Sequence, residues 1–151
     1  MSRILERRLS RLVNHGQAHL LRGSRIGLEK EGLRVSPNGS IARSDHPRAL
    51  GSALTHPWIT TDYSEALLEF VTPPYPDLSE TLRFLEDTHR FVYGELGEEF
   101  IWGASMPCVL DGENSIRIAE YGHSNPGRMK HLYRVGLAYR YGKLMQVIAG
   151  V

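Results

Sequence analysis

Apolar residues recur at three- and four-residue spacing in three stretches of the chain, which predicts three amphipathic helices. The first covers residues 2–14 and the third covers residues 128–142. The second begins after Asp77, which resembles a helix cap together with Glu80, and ends near Gly97. The positions that we expect to face a core are Ile4, Leu5, Leu9, Leu12 and Val13 in the first helix, Leu78, Leu82, Leu85, Val92 and Leu96 in the second, and Met129, Leu132, Tyr133 and Leu137 in the third.

Shorter apolar stretches bounded by turn residues predict strands. Residues 25–36 are expected to form a strand that turns at residues 37–39 into a second strand. Residues 58–72 contain two short strands or one bent strand around a polar break, and residues 144–151 are apolar enough to start a buried strand. Residues 102–127 show no clean period and are expected to be loops, so the pattern predicts helices combined with a small sheet.

Composition narrows the class of protein without naming a function. The 151 residues are 41% hydrophobic and 23% charged, which is enough for one core. A net charge of +1 gives no electrostatic reason to expect nucleic acid or an acidic membrane as partner. The single cysteine, Cys108, cannot form an internal disulfide, and no long apolar span is present, so a cytoplasmic protein is expected.

Three glutamates in strand-like segments are the candidate chemistry. Glu29 and Glu31 are two residues apart, which directs both to the same face of a strand. Glu69 lies between large apolar residues, where an ionised carboxylate is costly unless a cation compensates it. Divalent cations that take oxygen ligands would provide that compensation. The ordinary alternative is a solvated sheet face, or salt bridges to Arg25 or Arg34.

Five segments, in the same order along the chain, resemble the proteobacterial glutamate–cysteine ligases. They are GLEKEGLRV (27–35), LGSALTHPWITTDYSEALLEFVTP (50–73), SMPC (105–108), YGHSNPGRMKHLYRVGLAYRYG (121–142) and LMQVIAGV (144–151). The resemblance implies an α+β fold, in which an antiparallel sheet curves into a funnel like that of glutamine synthetase, with helices packed on its outside. It also implies that residues 1–151 form a single incomplete domain, the N-terminal part of a longer ligase.

The function implied by the resemblance is ATP-dependent joining of the side-chain carboxyl of L-glutamate to the amine of L-cysteine through an acyl phosphate. By the same resemblance Glu29, Glu31, Asp62 and Glu69 correspond to ligands of Mg²⁺ or Mn²⁺, and the three glutamates are the catalytic candidates. The acceptor pocket corresponds to Tyr63, Tyr133, Arg134 and Gln146. From the pattern alone Tyr133 is more often a core residue and Arg134 more often a solvated charge, so only the resemblance favours their pocket roles. Cys108 receives no role.

Two expectations follow from a chain that matches only the start of the ligase. The isolated chain should bind metal weakly, lack ligase activity without the remainder of the ligase, and be marginally stable or self-associate through uncovered apolar surface.

A competing hypothesis is a non-catalytic fragment, or an RNA-binding module on the third helix. That helix interleaves tyrosines with basic residues, namely Arg128, Lys130, His131, Arg134, Arg140 and Lys143 with Tyr133, Tyr139 and Tyr141. The balanced net charge favours a solvated helix over RNA binding.

Overall fold

The structure, a computed structural model, describes residues 3–150, which form an α+β fold. Within this range lie three α-helices, α1 (Arg3–Asn14), α2 (Leu78–Glu95) and α3 (Asn125–Tyr141). The strands are β1 (Glu29–Val35), β2 (Ile59–Thr61), β3 (Leu67–Val71) and β4 (Phe100–Ile101), paired antiparallel in the order β2-β3-β1-β4. The predicted class is therefore confirmed. None of the helices in this range is long and apolar enough to cross a membrane.

Alternation along the strands separates two apolar clusters, one on each face of the sheet. On one face Leu68 and Phe70 of β3 pack with Val92 of α2 and with Leu96, the residue that follows this helix. The other face contributes Leu33 of β1 to a second cluster, which reaches Val147 and Ala149 near the end of the described chain. Each fully buried large side chain contributes about 1.5–3 kcal/mol to stability, so α2 and the sheet hold each other in place.

The predicted core faces of the helices are only partly confirmed. Val92 in the second helix and Leu96 just after it are buried, but Leu78 and Leu82 are about half exposed, at 49% and 50%. The prediction is wrong for α1, in which no residue is buried, and for α3, whose buried residues are Gly127 and Ala138. Helical spacing records that a face is apolar, but it carries no information about what covers that face.

The strand predictions are confirmed where the strand is long enough to pair. Residues 58–72 form two strands, β2 and β3, and β1 ends before the turn at residues 37–39. The strand expected after that turn is reduced to single bridges at Ser40 and Ile41, and β4 appears just before residues expected to be loops. Residues Leu144–Val147 form a 3₁₀ helix rather than the expected strand. Ser2 and Val151, which belong to two predicted elements, lie outside the described residues.

A fully buried arginine fixes the turn between β2 and β3. Arg34 of β1 forms an ion pair with Glu99 at 2.8 Å, and its Nη2 donates a hydrogen bond of 3.0 Å to the carbonyl oxygen of Glu65. The Glu65 carboxylate accepts the backbone N–H groups of His46 and Glu120, each at 2.8 Å. Because these contacts span four parts of the chain, they hold the 62–66 turn in one position relative to the sheet.

Candidate functional site

The three glutamates lie on one face of the sheet, in two neighbouring strands. Glu31 of β1 is paired directly with Glu69 of β3, and Glu29 is paired with Val71. Because side chains alternate along a strand, Glu29 and Glu31 point to the side of the sheet that Glu69 also occupies. We call this surface, formed by Glu29, Glu31 and Glu69, the acidic face.

Glu31 and Glu69 are close because of how their strands pair. The backbone N–H of Glu31 donates to the carbonyl oxygen of Gly150 at 2.8 Å, so it points away from β3. The pair is therefore of the non-hydrogen-bonded kind, in which opposite Cα atoms are only about 4.5 Å apart and the side chains are nearest. Gly150 also donates its N–H to Glu31 Oε2 at 2.7 Å, which orients that carboxylate.

No arginine, lysine or histidine among residues 3–150 forms an ion pair with a glutamate of the acidic face. Arg34 pairs with Glu99, and Arg25 donates to the carbonyl oxygen of Pro74, so the salt bridges considered as the ordinary explanation are absent from this range. Burial raises the pKa of the Glu69 carboxyl, and the negative charges of Asp62, Glu29 and Glu31 raise it further. The acidic face therefore contains carboxylate repulsion that the described part of the chain leaves largely uncompensated.

Asp62 begins the turn after β2 and is held by two groups. Its carboxylate forms an ion pair with Arg134 of α3, and its Oδ1 accepts the backbone N–H of Tyr63 at 2.9 Å. The side chains of Asp62 and Arg134 are only 23% and 14% exposed, so this pair is shielded from water. Tyr63 has a φ of 60°, a left-handed conformation that is uncommon for a bulky residue.

The guanidinium of Arg134 connects the candidate pocket residues. It lies 4.4 Å from the ring centre of Tyr63 and 5.6 Å from that of Tyr133. The structure therefore brings Asp62, Tyr63, Tyr133 and Arg134 together. The alternatives considered for two of them are wrong, since Tyr133 is 62% exposed rather than part of a core and Arg134 is paired rather than solvated.

Gln146, the remaining pocket candidate, is fully buried in the Leu144–Val147 turn. Both its amide nitrogen and its amide oxygen lack a hydrogen-bond partner within residues 3–150. A buried amide without hydrogen-bond partners lowers stability by about 1–3 kcal/mol per unsatisfied group. Such a group is therefore unusual unless a ligand or another segment forms the missing hydrogen bonds. The structure shows no polar contact between Gln146 and Asp62, Tyr63 or Arg134. Cys108 is buried, and burial raises the pKa of its thiol, which does not favour a nucleophile.

The first turn of α3 packs directly against the loop that precedes it. Ser124 caps the helix by accepting the N–H of Gly127 at 3.2 Å. A Cβ atom at Gly127 would lie 2.4 Å from the carbonyl oxygen of Tyr121, so only glycine allows this approach. Tyr121 in turn donates its hydroxyl to the carbonyl oxygen of Thr61 at 2.7 Å. Helix α3 is thereby held against the end of β2, next to Asp62.

The donor set of the acidic face suits a hard divalent cation, although the described residues do not form a complete site. No group of three or more His, Cys, Asp or Glu side chains within residues 3–150 is arranged to hold a metal ion by itself. Mg²⁺ usually binds through one or two protein carboxylates and keeps waters and substrate phosphates as its other ligands. Glu31 with Glu69 provides such a pair. A cleft of about 490 Å³ lies at the Glu29 end of the face, where it is lined by Gly27, Leu28, Glu29, Val71 and Thr72.

Sequence reasoning missed three contributors to this region, namely Lys130, Tyr121 and Gly150. Lys130 precedes Arg134 by one helical turn, so the spacing alone could have placed both cations on one side of α3. The ring of Tyr121 lies under the ammonium of Lys130, and the backbone amide of Gly150 donates to the Glu31 carboxylate. The sequence carries no signal for either contact.

The geometry thus defines an α+β protein in which an antiparallel sheet presents a carboxylate-rich face, with Lys130 and Arg134 of α3 near one end of it. The model of the protein family described as "Glutamate-cysteine ligase" matches residues 9–151 of this chain. The chain is 54% identical over 147 residues to a glutamate–cysteine ligase of Alcanivorax borkumensis, covering 97% of this chain and 28% of the relative. It is 59% identical over 153 residues to that of Hahella chejuensis, covering 100% and 29%.

Two solved structures are similar in fold. The glutamate–cysteine ligase of Francisella tularensis in complex with AMP matches with a TM-score of 0.83 and 42% identity, covering 85% of this chain and 26% of that one. A bifunctional glutathione synthetase from Pasteurella multocida matches with a TM-score of 0.78 and 36% identity, covering 92% and 18%. The chain belongs to the glutamate–cysteine ligase family, and it spans about 28% of the length of the curated relatives it matches.

Proposed function

We propose that this chain supplies part of the active site of an ATP-dependent ligase that joins the side-chain carboxyl of glutamate to the amine of cysteine. The observation that carries the proposal is the acidic face, where Glu31 lies directly across from Glu69 and no cation of residues 3–150 forms an ion pair with either. Family membership supports the same activity, and the AMP complex of the Francisella relative supports a nucleotide substrate.

In this function the acidic face, with Asp62, would hold Mg²⁺ or Mn²⁺. The metal supplies positive charge where phosphate oxygens and an anionic nucleophile have to approach one another. An oxygen of the glutamate side-chain carboxylate attacks the γ-phosphorus of ATP, the bond from that phosphorus to ADP breaks, and an acyl phosphate forms. The cysteine amine then attacks the acyl carbon, inorganic phosphate leaves, and the nitrogen gives up a proton to leave an amide.

Tyr63, Tyr133, Arg134 and Gln146 are proposed to line the pocket of the acceptor amino acid. The partly shielded position of Arg134 over two tyrosine rings supports a role for the first three, because a desolvated cation beside aromatic surface is suited to a small zwitterion. The buried, unpartnered amide of Gln146 supports the fourth. The curved, funnel-like continuation of the sheet is also part of this proposal, as is the need for the remainder of a ligase chain.

The test is a chimera in which residues 9–151 replace the matching segment of the Hahella chejuensis ligase. We expect ADP release that requires glutamate and cysteine together, and no such turnover by the isolated chain. In the chimera, Glu31→Gln and Glu69→Gln should each lower kcat by about 100-fold or more, as expected for groups that hold or orient a catalytic metal. Glu98→Gln, at an exposed position in the loop after α2, is the control and should leave kcat unchanged. An active Glu69→Gln chimera would contradict the proposed role of the acidic face.

The structure does not favour RNA binding on α3. Arg134 is paired with Asp62, and the His131 ring is hydrogen-bonded to the carbonyl oxygen of Ala119. Two of the six basic groups considered for phosphate contacts therefore already have partners within the chain.

A further inference from the structure

Two cations of α3, Lys130 and Arg134, lie near the turn that carries Asp62, and only one of them has an acidic partner. Lys130 and Arg134 are one helical turn apart, so their side chains lie on the same side of the helix. The charge of Arg134 is balanced by Asp62. Within residues 3–150, Lys130 makes no ion pair and no hydrogen bond, and its one recorded contact is the ring of Tyr121.

Lys130 is nevertheless held in a defined place. Its Nζ atom lies 4.1 Å from the ring centre of Tyr121, a residue that is only 6% exposed. The Tyr121 hydroxyl is fixed by Thr61, the last residue of β2 and the neighbour of Asp62. The ammonium is therefore positioned beside the turn that carries Asp62.

The contact with Tyr121 places Lys130 beside the end of β2, where Thr61 is paired with Leu68, the residue before Glu69. Burial, and secondarily the charge of Arg134, lowers the pKa of Lys130, whereas the charges of Asp62 and Glu69 oppose that change. Lys130 in turn acts to lower the pKa of Glu69. A lysine that served as counter-ion to the glutamates would be expected to form an ion pair with one of them, and Lys130 forms none within residues 3–150.

We propose that Lys130 binds an oxyanion of a substrate at the acidic face, and that this oxyanion is a phosphoryl oxygen of ATP. This inference rests on the proposed function. A phosphoryl group is favoured over an amino-acid carboxylate because Asp62, at the turn beside Lys130, and Glu69 on the neighbouring strand are where a bound metal would gather phosphate oxygens. A compact, strongly hydrated ammonium also suits a phosphate as a point charge.

The test compares three variants in the chimera described above. Lys130→Met removes the charge but keeps an unbranched side chain against Tyr121, Lys130→Arg keeps the charge, and Arg128→Met removes an exposed charge from the same helix as a control. For each variant kcat and the KM values for ATP, glutamate and cysteine are measured, together with the midpoint of thermal unfolding.

We expect Lys130→Met to lower kcat/KM for ATP by about 10- to 100-fold, the effect of one charge-assisted hydrogen bond. The KM values for glutamate and cysteine should stay near those of the parent, Lys130→Arg should recover much of the loss, and Arg128→Met should match the parent. A rise confined to the KM of glutamate or of cysteine would support oxyanion binding but overturn its assignment to the phosphoryl group.

Two results would overturn the inference as a whole. The first is an active parent in which Lys130→Met leaves all three substrates unaffected. The second is equal loss of activity in Lys130→Met and Lys130→Arg with matching falls in thermal midpoint, which would show a structural role only. An inactive parent chimera would instead contradict the proposed function, and this inference would fall with it.

Discussion

Replacing Glu69 by glutamine should stabilise the metal-free chain while removing its proposed function. The substitution keeps the shape of the side chain and removes one of two carboxylates that face each other across β1 and β3. The Glu69 side chain makes no hydrogen bond or ion pair within residues 3–150, so no such contact is lost there. At about 6 Å and an effective dielectric of about 60, two carboxylates repel by about 1 kcal/mol. For a domain of about 150 residues this corresponds to a rise in Tm of about 2–4 °C.

The gain in stability caused by Glu69→Gln should depend on pH, and the direction of that dependence follows from the raised pKa of Glu69. Because the folded state raises the pKa of Glu69, the folded protein binds the proton more tightly than the unfolded chain does. The wild-type chain therefore gains stability as pH falls through this raised pKa and loses it again as pH rises. The advantage of Glu69→Gln should be largest at neutral pH and should disappear once Glu69 is protonated in the wild type.

The assay is thermal unfolding of the metal-free chain, followed by circular dichroism across a pH series, with Glu98→Gln as the matched control. Glu98 is exposed and has no partner within residues 3–150, so its substitution should not change Tm by more than a fraction of the Glu69 effect. An unchanged or lower Tm for Glu69→Gln at neutral pH would refute the reasoning that the acidic face contains uncompensated repulsion.

Three further predictions concern the chain outside Glu69. Arg134→Met should lower the free energy of unfolding by about 1–2 kcal/mol in urea titration, because it leaves a mostly buried Asp62 unpaired; an unchanged stability would show that the pair contributes nothing. Asp77→Ala should cost about 1 kcal/mol in the same assay, since Asp77 accepts the N–H of Ser79 at 2.8 Å at the start of α2. The isolated chain should self-associate in light scattering through the exposed leucines of α1, and Leu5→Glu with Leu9→Glu should reduce the association; a monodisperse wild-type monomer would count against this.

The sheet and its acidic face were predictable because both depend on a period of two. Glu29 and Glu31 must share a face in any regular strand, and the apolar residues around Glu69 required a buried strand. Their mutual position depends on the register between β1 and β3, which the sequence does not state but the matching segments of the family imply. The proposed metal and substrate roles of these residues stay predictions.

Sequence reasoning was weaker for elements whose environment is set by distant residues. The apolar stripes of α1 and α3 predicted helices correctly, yet Leu9 and Leu132 are exposed, because periodicity cannot say which surface lies opposite. Residues 144–151 were expected to start a strand because they are apolar, but Leu144–Val147 form a 3₁₀ helix in which Val147 joins the cluster on the acidic side of the sheet. Tertiary packing decided both outcomes.

Gly127 shows how a missing side chain can set the dimensions of a site. Since any larger residue there would collide with the carbonyl oxygen of Tyr121, the helix could accept one only by moving outward. That displacement would carry Lys130 and Arg134 away from Asp62 and Glu69 together, without altering a single charged group. The distance between the cations of α3 and the carboxylates of Asp62 and Glu69 thus depends on position 127, where a hydrogen atom stands in place of a side chain and takes no part in the reaction.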